Sequence, residues 1–183
     1  MHILGAVENK TSDWIGNVIV HLTLYDQNGQ QLNATSTLGD AEQAASAEND
    51  AIPPGGMAYY EYLRDVEKIE GEFDHYDLSV TYSPVDPPYR VTADIANLQV
   101  GDMNDLMIEV SGQVVNNSDK DCLRPAAIVL GYDASGLLYE IEPYYLETDP
   151  LPAGDKGDFQ TLIYNPNQTL KDIKAIASCA SWD

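Results

Sequence analysis

Apolar and polar residues alternate along several short stretches of this chain. In residues 17–26, NVIVHLTLYD, one set of alternate positions holds Val18, Val20, Leu22 and Leu24, and the other holds Ile19, His21, Thr23 and Tyr25. Residues 107–115, MIEVSGQVV, repeat the pattern with Ile108, Val110 and Val114 in one set. A period of two is typical of a β-strand with one buried face. The pattern therefore predicts strands over most of the chain.

One strand and its turn occur twice. LTLYDQNG at residues 22–29 matches VLGYDASG at residues 129–136, an offset of 132 − 25 = 107. At that offset the shared residues are Gly5 and Gly112, Val7 and Val114, Asn9 and Asn116, Tyr25 and Tyr132, Asp26 and Asp133, and Gly29 and Gly136. A second anchor, IPPGG at 52–56 and LPAGD at 151–155, follows at an offset of 99. Internal repetition of this kind sets the domain count, so we predict two copies of one plan.

The repeated residues suit a structural role. A tyrosine at the end of a core strand closes the edge while keeping its hydroxyl in water. The aspartate that follows accepts hydrogen bonds from the turn, and the glycine adopts the positive φ that the turn requires. Asn9 and Asn116 each end a strand and begin a polar loop, where we expect similar local hydrogen bonds.

The connection SPVDPPYR, residues 83–90, separates the copies, because its prolines do not continue a sheet interior. We place the first domain at residues 1–84 and the second at 85–183. Short strands with glycine and proline turns predict an all-β fold of two tandem antiparallel β-sandwiches. The first copy holds eight more residues between its anchors (107 − 99), in or near GDAEQAASAEND, where we expect a short helix capped by Asp40.

The pattern Gly-x-Val-x-Asn, then a strand ending in Tyr-Asp, then Pro-x-Gly, resembles the FxLYD family of bacterial and archaeal domains. In the first copy these residues are Gly5, Val7, Asn9, Leu24, Tyr25, Asp26, Pro53 and Gly55; in the second they are Gly112, Val114, Asn116, Tyr132, Asp133, Pro152 and Gly154. The family's phenylalanine is Leu22 and Val129 here, and its leucine is Gly131 in the second copy. The resemblance implies immunoglobulin-like sandwiches in an extracytoplasmic protein and implies no shared enzymatic activity.

The second copy is preceded by YRVTADIANLQV, residues 89–100, which has the pattern of an extra strand. Met1 already aligns with Ile108, so we expect the first sandwich to be one strand short. An uncovered strand edge is a liability unless something pairs with it. The insertion, a neighbouring molecule or a strand from an upstream domain would supply that edge-strand partner, and we favour the upstream strand.

Net charge argues against nucleic acid as a partner, and the length of the apolar runs argues against membrane insertion. Lys and Arg number 9 and Asp and Glu number 30, a net charge of −21 with pI ≈ 4.1. Such a chain repels phosphate backbones and anionic lipid, so nucleic acid is not expected as a partner. No apolar run approaches the ~20 residues of a membrane span, so membrane insertion by this segment is not expected either. A solvated acidic surface explains the charge, with cation binding or a salt-rich habitat as the alternatives.

Two cysteines, Cys122 and Cys179, allow one intramolecular pair. Their number alone does not distinguish a disulfide from two buried thiols. Cys122 begins the strand that carries Tyr132, and Cys179 lies in the last strand of the same copy. We therefore predict that they bridge, in agreement with an oxidising, extracytoplasmic compartment.

Candidate metal and catalytic residues have simpler structural explanations. His75 between Asp74 and Asp77 has the spacing of mixed metal ligands, but a polar turn accounts for it. DQNG at residues 26–29 looks like a fragment of a calcium loop, but a hairpin turn explains the same residues. No nucleophile elbow is present, and we expect no catalytic residue, metal or cofactor. Asn-x-Ser/Thr triplets, which are glycosylation acceptors in some hosts, begin at Asn9, Asn33, Asn116 and Asn167.

Tyrosine is the dominant aromatic residue, with 12 Tyr against 2 Phe. The two clusters are Tyr59, Tyr60 and Tyr62, and Tyr144 and Tyr145. They supply either the aromatic core or an exposed contact surface. We expect a non-enzymatic interaction or spacer module that contacts a protein or cell-envelope component. The alternative is a carbohydrate- or calcium-binding module, and a small acidic enzyme is the third hypothesis.

Overall fold

A computed structural model describes residues 2–32, 43–46, 51–63, 71–86 and 93–180. The fold is all-β with antiparallel sheets, and the described part also contains a short 3-10 helix, Pro166–Gln168. The chain divides into two compact units, Met1–Asp86 and Pro87–Asp183, which we call the first and second units. Within the described ranges, no helix is long and apolar enough to cross a membrane.

Twelve strands are present in the described residues. Those of the first unit are β1 (His2–Glu8), β2 (Ile15–Tyr25), β3 (Gln43–Ser46), β4 (Ala51–Ile52), β5 (Met57–Leu63) and β6 (His75–Pro84). Those of the second unit are β7 (Ala93–Val100), β8 (Met107–Asn116), β9 (Leu123–Tyr132), β10 (Leu138–Tyr145), β11 (Lys156–Tyr164) and β12 (Asp172–Ala180). All the strand pairs are antiparallel.

The second unit consists of two three-stranded sheets, in the orders β11-β8-β7 and β10-β9-β12. Both sheets contribute to one core cluster that includes Val110, Val114, Val129, Phe159 and Ile173. This arrangement is consistent with a β-sandwich, because each sheet buries one face against the other. Strands β7 and β12 are edge strands of different sheets, lie next to each other, and both pack on this core.

The first unit repeats this plan with six strands in its described residues, but none of them is a counterpart of β7. Strand β2 pairs with β6 along one edge and with β3 and β4 along the other. The second sheet contains only β1 and β5 among the described residues. The alternation predicted for β2 is confirmed, since Val18, Val20, Leu22 and Leu24 are all buried.

The helix expected in GDAEQAASAEND is wrong where the structure describes that segment. Gln43–Ser46 is strand β3, whose register with β2 pairs Ile19 with Ser46 and Leu22 with Gln43. The backbone groups along this edge of β2 form ladder hydrogen bonds with the segment, which a helix cannot do. Residues 39–42 and 47–50, including Asp40, lie outside the described residues.

Candidate interaction surface

The repeated asparagine is buried and links two loops through its hydrogen bonds, an arrangement that we call the joint. In the first unit the Asn9 side-chain Nδ2 donates to the carbonyls of Asp13 and Ile52 at 2.8 and 3.0 Å. Its Oδ1 accepts from the backbone N–H and the hydroxyl of Thr11 at 3.0 and 2.8 Å. The backbone N–H of Gly55, whose φ is 72°, donates to the Asn9 carbonyl at 2.8 Å. The asparagine thus links the β1–β2 loop to the Pro-x-Gly anchor.

The second unit has the same joint. Asn116 Nδ2 donates to the carbonyls of Lys120 and Leu151 at 2.8 and 3.0 Å, and Ser118 bonds to its Oδ1. Gly154 N–H donates to the Asn116 carbonyl at 3.1 Å. Two Asn-x-Ser/Thr triplets are explained by this joint, because the residue at the third position bonds to the asparagine. The nitrogen that a glycan would modify is buried in both cases.

The Tyr-Asp-x-x-Gly turns are also equivalent. Asp26 Oδ1 accepts from the backbone N–H groups of Asn28 and Gln30, both at 2.8 Å. The hydrogen bond from Gln30 is the largest cause that lowers the pKa of Asp26 below its ordinary value of 3.8. Gly29 has a φ of 76°, as the turn requires. The Asp26 carboxylate therefore stabilises its own hairpin turn. This role explains the sequence DQNG at residues 26–29.

In the second unit, Asp133 accepts from the hydroxyl and backbone N–H of Ser135 at 2.7 and 2.8 Å, and from the N–H of Leu137 at 3.0 Å. The Ser135 hydroxyl is the largest cause that lowers the pKa of Asp133 below 3.8. Gly136 has a φ of 81°. Sequence repetition alone locates this turn correctly in both copies.

The repeated glycine makes room for an aromatic ring on the neighbouring strand. Gly5 lies directly opposite Tyr60, and Gly112 lies directly opposite Phe159. A Cβ at Gly5 would overlap the Tyr60 ring, and one at Gly112 would lie 2.8 Å from Phe159 Cε1. The sequence contained a signal for this pair, since Tyr60 and Phe159 match at the anchor offset of 99.

The most unusual surface of the first unit is an apolar row on β6. Tyr76, Leu78, Val80 and Tyr82 occupy alternate positions and are 40–48% exposed. In the β2–β6 register, Tyr76, Leu78 and Val80 lie opposite Leu24, Leu22 and Val20, which are only 2–3% exposed. Paired residues of antiparallel strands point to the same face of a sheet. These four side chains, the β6 row, therefore lie on the core face of their sheet, where none of the described residues covers them fully.

The second unit shows how the equivalent row is covered. Tyr25 pairs with His75 and its counterpart Tyr132 pairs with Asp172, so β12 is offset from β6 by 172 − 75 = 97. The counterparts of the β6 row are Ile173, Ala175, Ala177 and Cys179, which all pack on the core. Strand β7 lies next to β12, and its Ala93 and Ile95 pack on the same core. The described part of the first unit has no strand in the corresponding place.

Because the described part of the first unit has no counterpart of β7, one edge of β1 is unpaired there. Strand β8 lies between β11 and β7, but β1 pairs only with β5 among the described residues. Val114, opposite Ile95 of β7, is fully buried, whereas its counterpart Val7 is half-buried. Along β1 there is no proline, lysine or register shift of the kind that protects natural sheet edges.

The structure places the tyrosines of the two predicted clusters differently. Tyr60 is buried in the core of the first unit, so it is not part of an exposed surface, and Tyr59 is half-buried. The Tyr62 side chain lies outside the described part of the structure. Tyr144 packs on the core of the second unit, with its ring centroid 6.3 Å from that of Phe159. Tyr145 is exposed, with the Arg124 guanidinium 5.8 Å from its ring centroid.

The cysteines form the predicted disulfide. Cys122 and Cys179 are bonded, with Cα atoms 5.3 Å apart. The bridge joins the start of β9 to β12 inside the second unit, where Cys122 is fully buried. The first copy has Ile15 in place of Cys122, and Ile15 is part of a separate buried cluster with Val18, Ile52 and Ala58.

The histidine candidate is explained by local contacts. His75 Nδ1 lies 2.8 Å from Asp74 Oδ2, and its ring stacks on Tyr25 with centroids 5.1 Å apart. His21 Nε2 lies 2.8 Å from the Thr81 hydroxyl. The described residues contain no group of three or more His, Cys, Asp or Glu side chains placed to hold a metal ion.

One polar concavity is present in the second unit. It has a volume of about 690 Å³, and its lining includes Asn97, Gln113, Tyr144 and Asp158. Asn97 Nδ2 donates to Gln113 Oε1 at 3.0 Å, and Gln113 Nε2 donates to Asp158 Oδ1 at 2.7 Å. Amide and carboxylate groups beside an aromatic ring are suited to hydroxyl-rich ligands.

These features define an all-β, disulfide-containing chain with an uncovered apolar row. No protein-family model matches the chain, and no curated protein matches it.

Proposed function

We propose that this chain is a non-enzymatic, extracytoplasmic interaction module built from two immunoglobulin-like domains of the FxLYD type. The observation that carries the proposal is the β6 row, an apolar surface on the core face of a sheet. Exposed apolar surface of this extent is typical of interaction sites. The protein or envelope component that it contacts covers this row in the assembled state.

The structural role of the motif residues supports the family assignment. Gly5, Asn9, Pro53 and Gly55 lie in two neighbouring contacts of the first unit, and the second unit repeats both contacts. A family motif made of core and joint residues specifies a fold and leaves the surface free to vary. The FxLYD resemblance accordingly supports a sandwich of this type without implying a reaction.

Site-specific crosslinking tests the interaction. A photoreactive amino acid replaces Leu78 of the β6 row in the cells that naturally make the protein. The control is Leu137, which is also exposed but lies in the β9–β10 turn of the second unit. We expect adducts of one defined mass at position 78 and none at 137. Equal labelling at both positions, or no adduct at 78, contradicts the proposal.

The disulfide supports the extracytoplasmic location, because such bonds persist mainly in oxidising compartments. Thiol labelling of the protein from its own cells, unfolded in denaturant so that the buried Cys122 is accessible, tests this. We expect both cysteines to label only after reduction. Labelling before reduction would place the chain in a reducing compartment and contradict the location.

Carbohydrate binding is the second candidate function, and the polar concavity of the second unit favours it. The hydrogen-bonded series Asn97, Gln113 and Asp158 presents donors and acceptors beside Tyr144. A glycan array tests it, with Gln113→Ala as the matched variant. Binding that the variant loses supports this function, and a flat array with the unaltered protein removes it.

A further inference from the structure

We propose that the first unit binds an extended strand from a partner protein, which pairs with β1 and covers the β6 row. This inference rests on the proposed interaction function and names the kind of partner. The second unit supplies the argument, since β7 both pairs with β8 and lies next to β12. One inserted strand would therefore cover the two open features of the first unit together.

The register of the inserted strand follows from the internal repeat. Strand β7 places Ile95 opposite Val114 and Asp94 opposite Val115. Subtracting the offset of 107 places the corresponding positions of the partner strand opposite Val7 and Glu8. The position equivalent to Ile95 points to the core, because Ile95 packs on the core of the second unit. The partner strand runs antiparallel to β1 and carries an apolar residue at that position.

The edge chemistry fits strand addition. An added strand satisfies the backbone groups of an exposed edge, and its alternate side chains fill the neighbouring pockets. Strand β7 has a register shift between Ala96 and Gln99, and Asn97 there has a φ of 54°. Such irregularities protect an outer edge from further pairing. β1 lacks them, so its edge is suited to continued pairing.

Charge distinguishes a second copy of this chain from a basic partner strand. Residues 1–86 contain three Lys or Arg and fifteen Asp or Glu, a formal charge of 3 − 15 = −12. Glu8, Asp74 and Asp77 are exposed near the open edge or beside the β6 row. A second copy of this chain carries the same net charge of −21 and is therefore repelled. A partner strand flanked by lysine or arginine is attracted, most strongly at low salt.

A fusion tests whether the first unit accepts a strand. Residues 91–107 contain β7 and its connection to β8, and Ile108 is the counterpart of Met1. A second copy of residues 91–107 joined directly before Met1 therefore reproduces the spacing of the second unit. We expect the melting temperature of the first unit to rise by about 5–10 °C, as ~1–2 kcal/mol does in a domain of this size. The same fusion carrying Ile95→Asp in the added copy is the matched control, and we expect it to lose most of the rise.

A peptide tests binding from a separate chain. The probe is a labelled synthetic peptide of residues 91–100 with two lysines at each end, and its control is a scrambled peptide of the same composition. We expect at least tenfold tighter binding of the probe to the unaltered chain, weakened by salt. The fusion fills the site and should lose this binding. Equal binding of probe and scramble, equal binding to the fusion, or no stabilisation by the fusion overturns the strand proposal.

Two further outcomes separate the alternatives. Dimers in sedimentation that disappear in the fusion would identify a second copy as the occupant and overturn the choice of a basic partner strand. If crosslinks form at position 78 but the fusion does not stabilise the first unit, the proposed interaction function stands and an extended strand is rejected as its partner. The experiments therefore distinguish a failure of the strand proposal from a failure of the proposed interaction function.

Discussion

At the scale of single residues, the repeated positions act as joints and turns. The role of Asp26 and Asp133 was predictable, because the hydrogen bonds of a turn are local in sequence. The burial of Asn9 and Asn116 was not predicted. Their main partners include Ile52 and Leu151, which are 43 and 35 residues away, and no local pattern shows such contacts.

Asn116→Ala tests the joint. The change removes the donor to the carbonyls of Lys120, Leu151 and Pro152 and the acceptor for Ser118, and each unpaired buried group costs ~1–3 kcal/mol. We expect the second unit to lose about 3 kcal/mol of its free energy of unfolding, measured by urea titration. Asn117→Ala is the control, since that exposed side chain donates to Asp94 Oδ2 at 2.8 Å on the surface, and it should cost under ~1 kcal/mol. Equal losses in the two variants would show that Asn116 is not a structural joint.

Asp133→Asn tests the turn through its pH dependence. The native pKa of Asp133 lies below 3.8, so its ionised form stabilises the fold above about pH 4. That stabilisation is lost as the pH falls from 3.8 through the lower native pKa. Asparagine keeps an acceptor oxygen but not the charge. We expect the melting temperature of the variant to be lower than that of the unaltered chain at pH 7 and the difference to shrink as the pH falls below 3.8. A constant difference across this range would contradict the assignment.

At the scale of strands, the alternation of apolar and polar residues predicts most of the strands but not which strands they pair with. The alternation predicted strands over most of the chain, and the segments MAYYEYL, DFQTLIY, YDLSVTY and IKAIASCA are indeed the strands or parts of the strands β5, β11, β6 and β12. The alanine-rich insertion was assigned a helix because alanine favours helices locally. Gln43–Ser46 instead pairs with β2, since pairing with an open edge overrides local propensity.

The glycine–aromatic pairs between strands give a testable coupling. Gly112→Ala places a methyl group against Phe159, and overpacking of this kind costs ~1–3 kcal/mol. Phe159→Leu opens the space, so the same alanine should cost less in the double variant. A double-mutant cycle in urea measures this coupling, with Ser111→Ala replacing Gly112→Ala as the control. Additive effects at Gly112 and Phe159 would contradict direct contact.

The disulfide gives a second test at this scale. It closes a loop of 179 − 122 + 1 = 58 residues, which corresponds to about 4 kcal/mol in the chain-entropy account. Replacing both cysteines with alanine should lower the free energy of unfolding of the second unit by about this amount. The first unit should melt as before, because the bridge lies within the second. Reducing agent should destabilise the unaltered chain and leave the variant unchanged. A change confined to the first unit would contradict this account.

At the scale of the whole molecule, two copies of one plan differ in the strands that cover them. The sequence of β6 alternates apolar and polar residues as a half-buried strand does. This pattern shows which face points to the core, but it cannot show whether an opposite strand covers that face. Comparison of the copies in three dimensions reveals the β6 row, because Ile173 and its neighbours on β12 pack on a core, whereas Tyr76 and its neighbours stay exposed in the described part of the first unit.

Amide hydrogen exchange followed by NMR tests this difference most directly. Strand β8 has partners on both edges, so we expect amides of both alternating sets between Val110 and Val115 to be protected. In the equivalent stretch of β1, Ile3 to Glu8, only the set that faces β5 should be protected, and the other set should exchange at rates close to those of an unfolded chain. Continuous protection along β1, equal to that along β8, would show that its edge is covered and would contradict an open first unit.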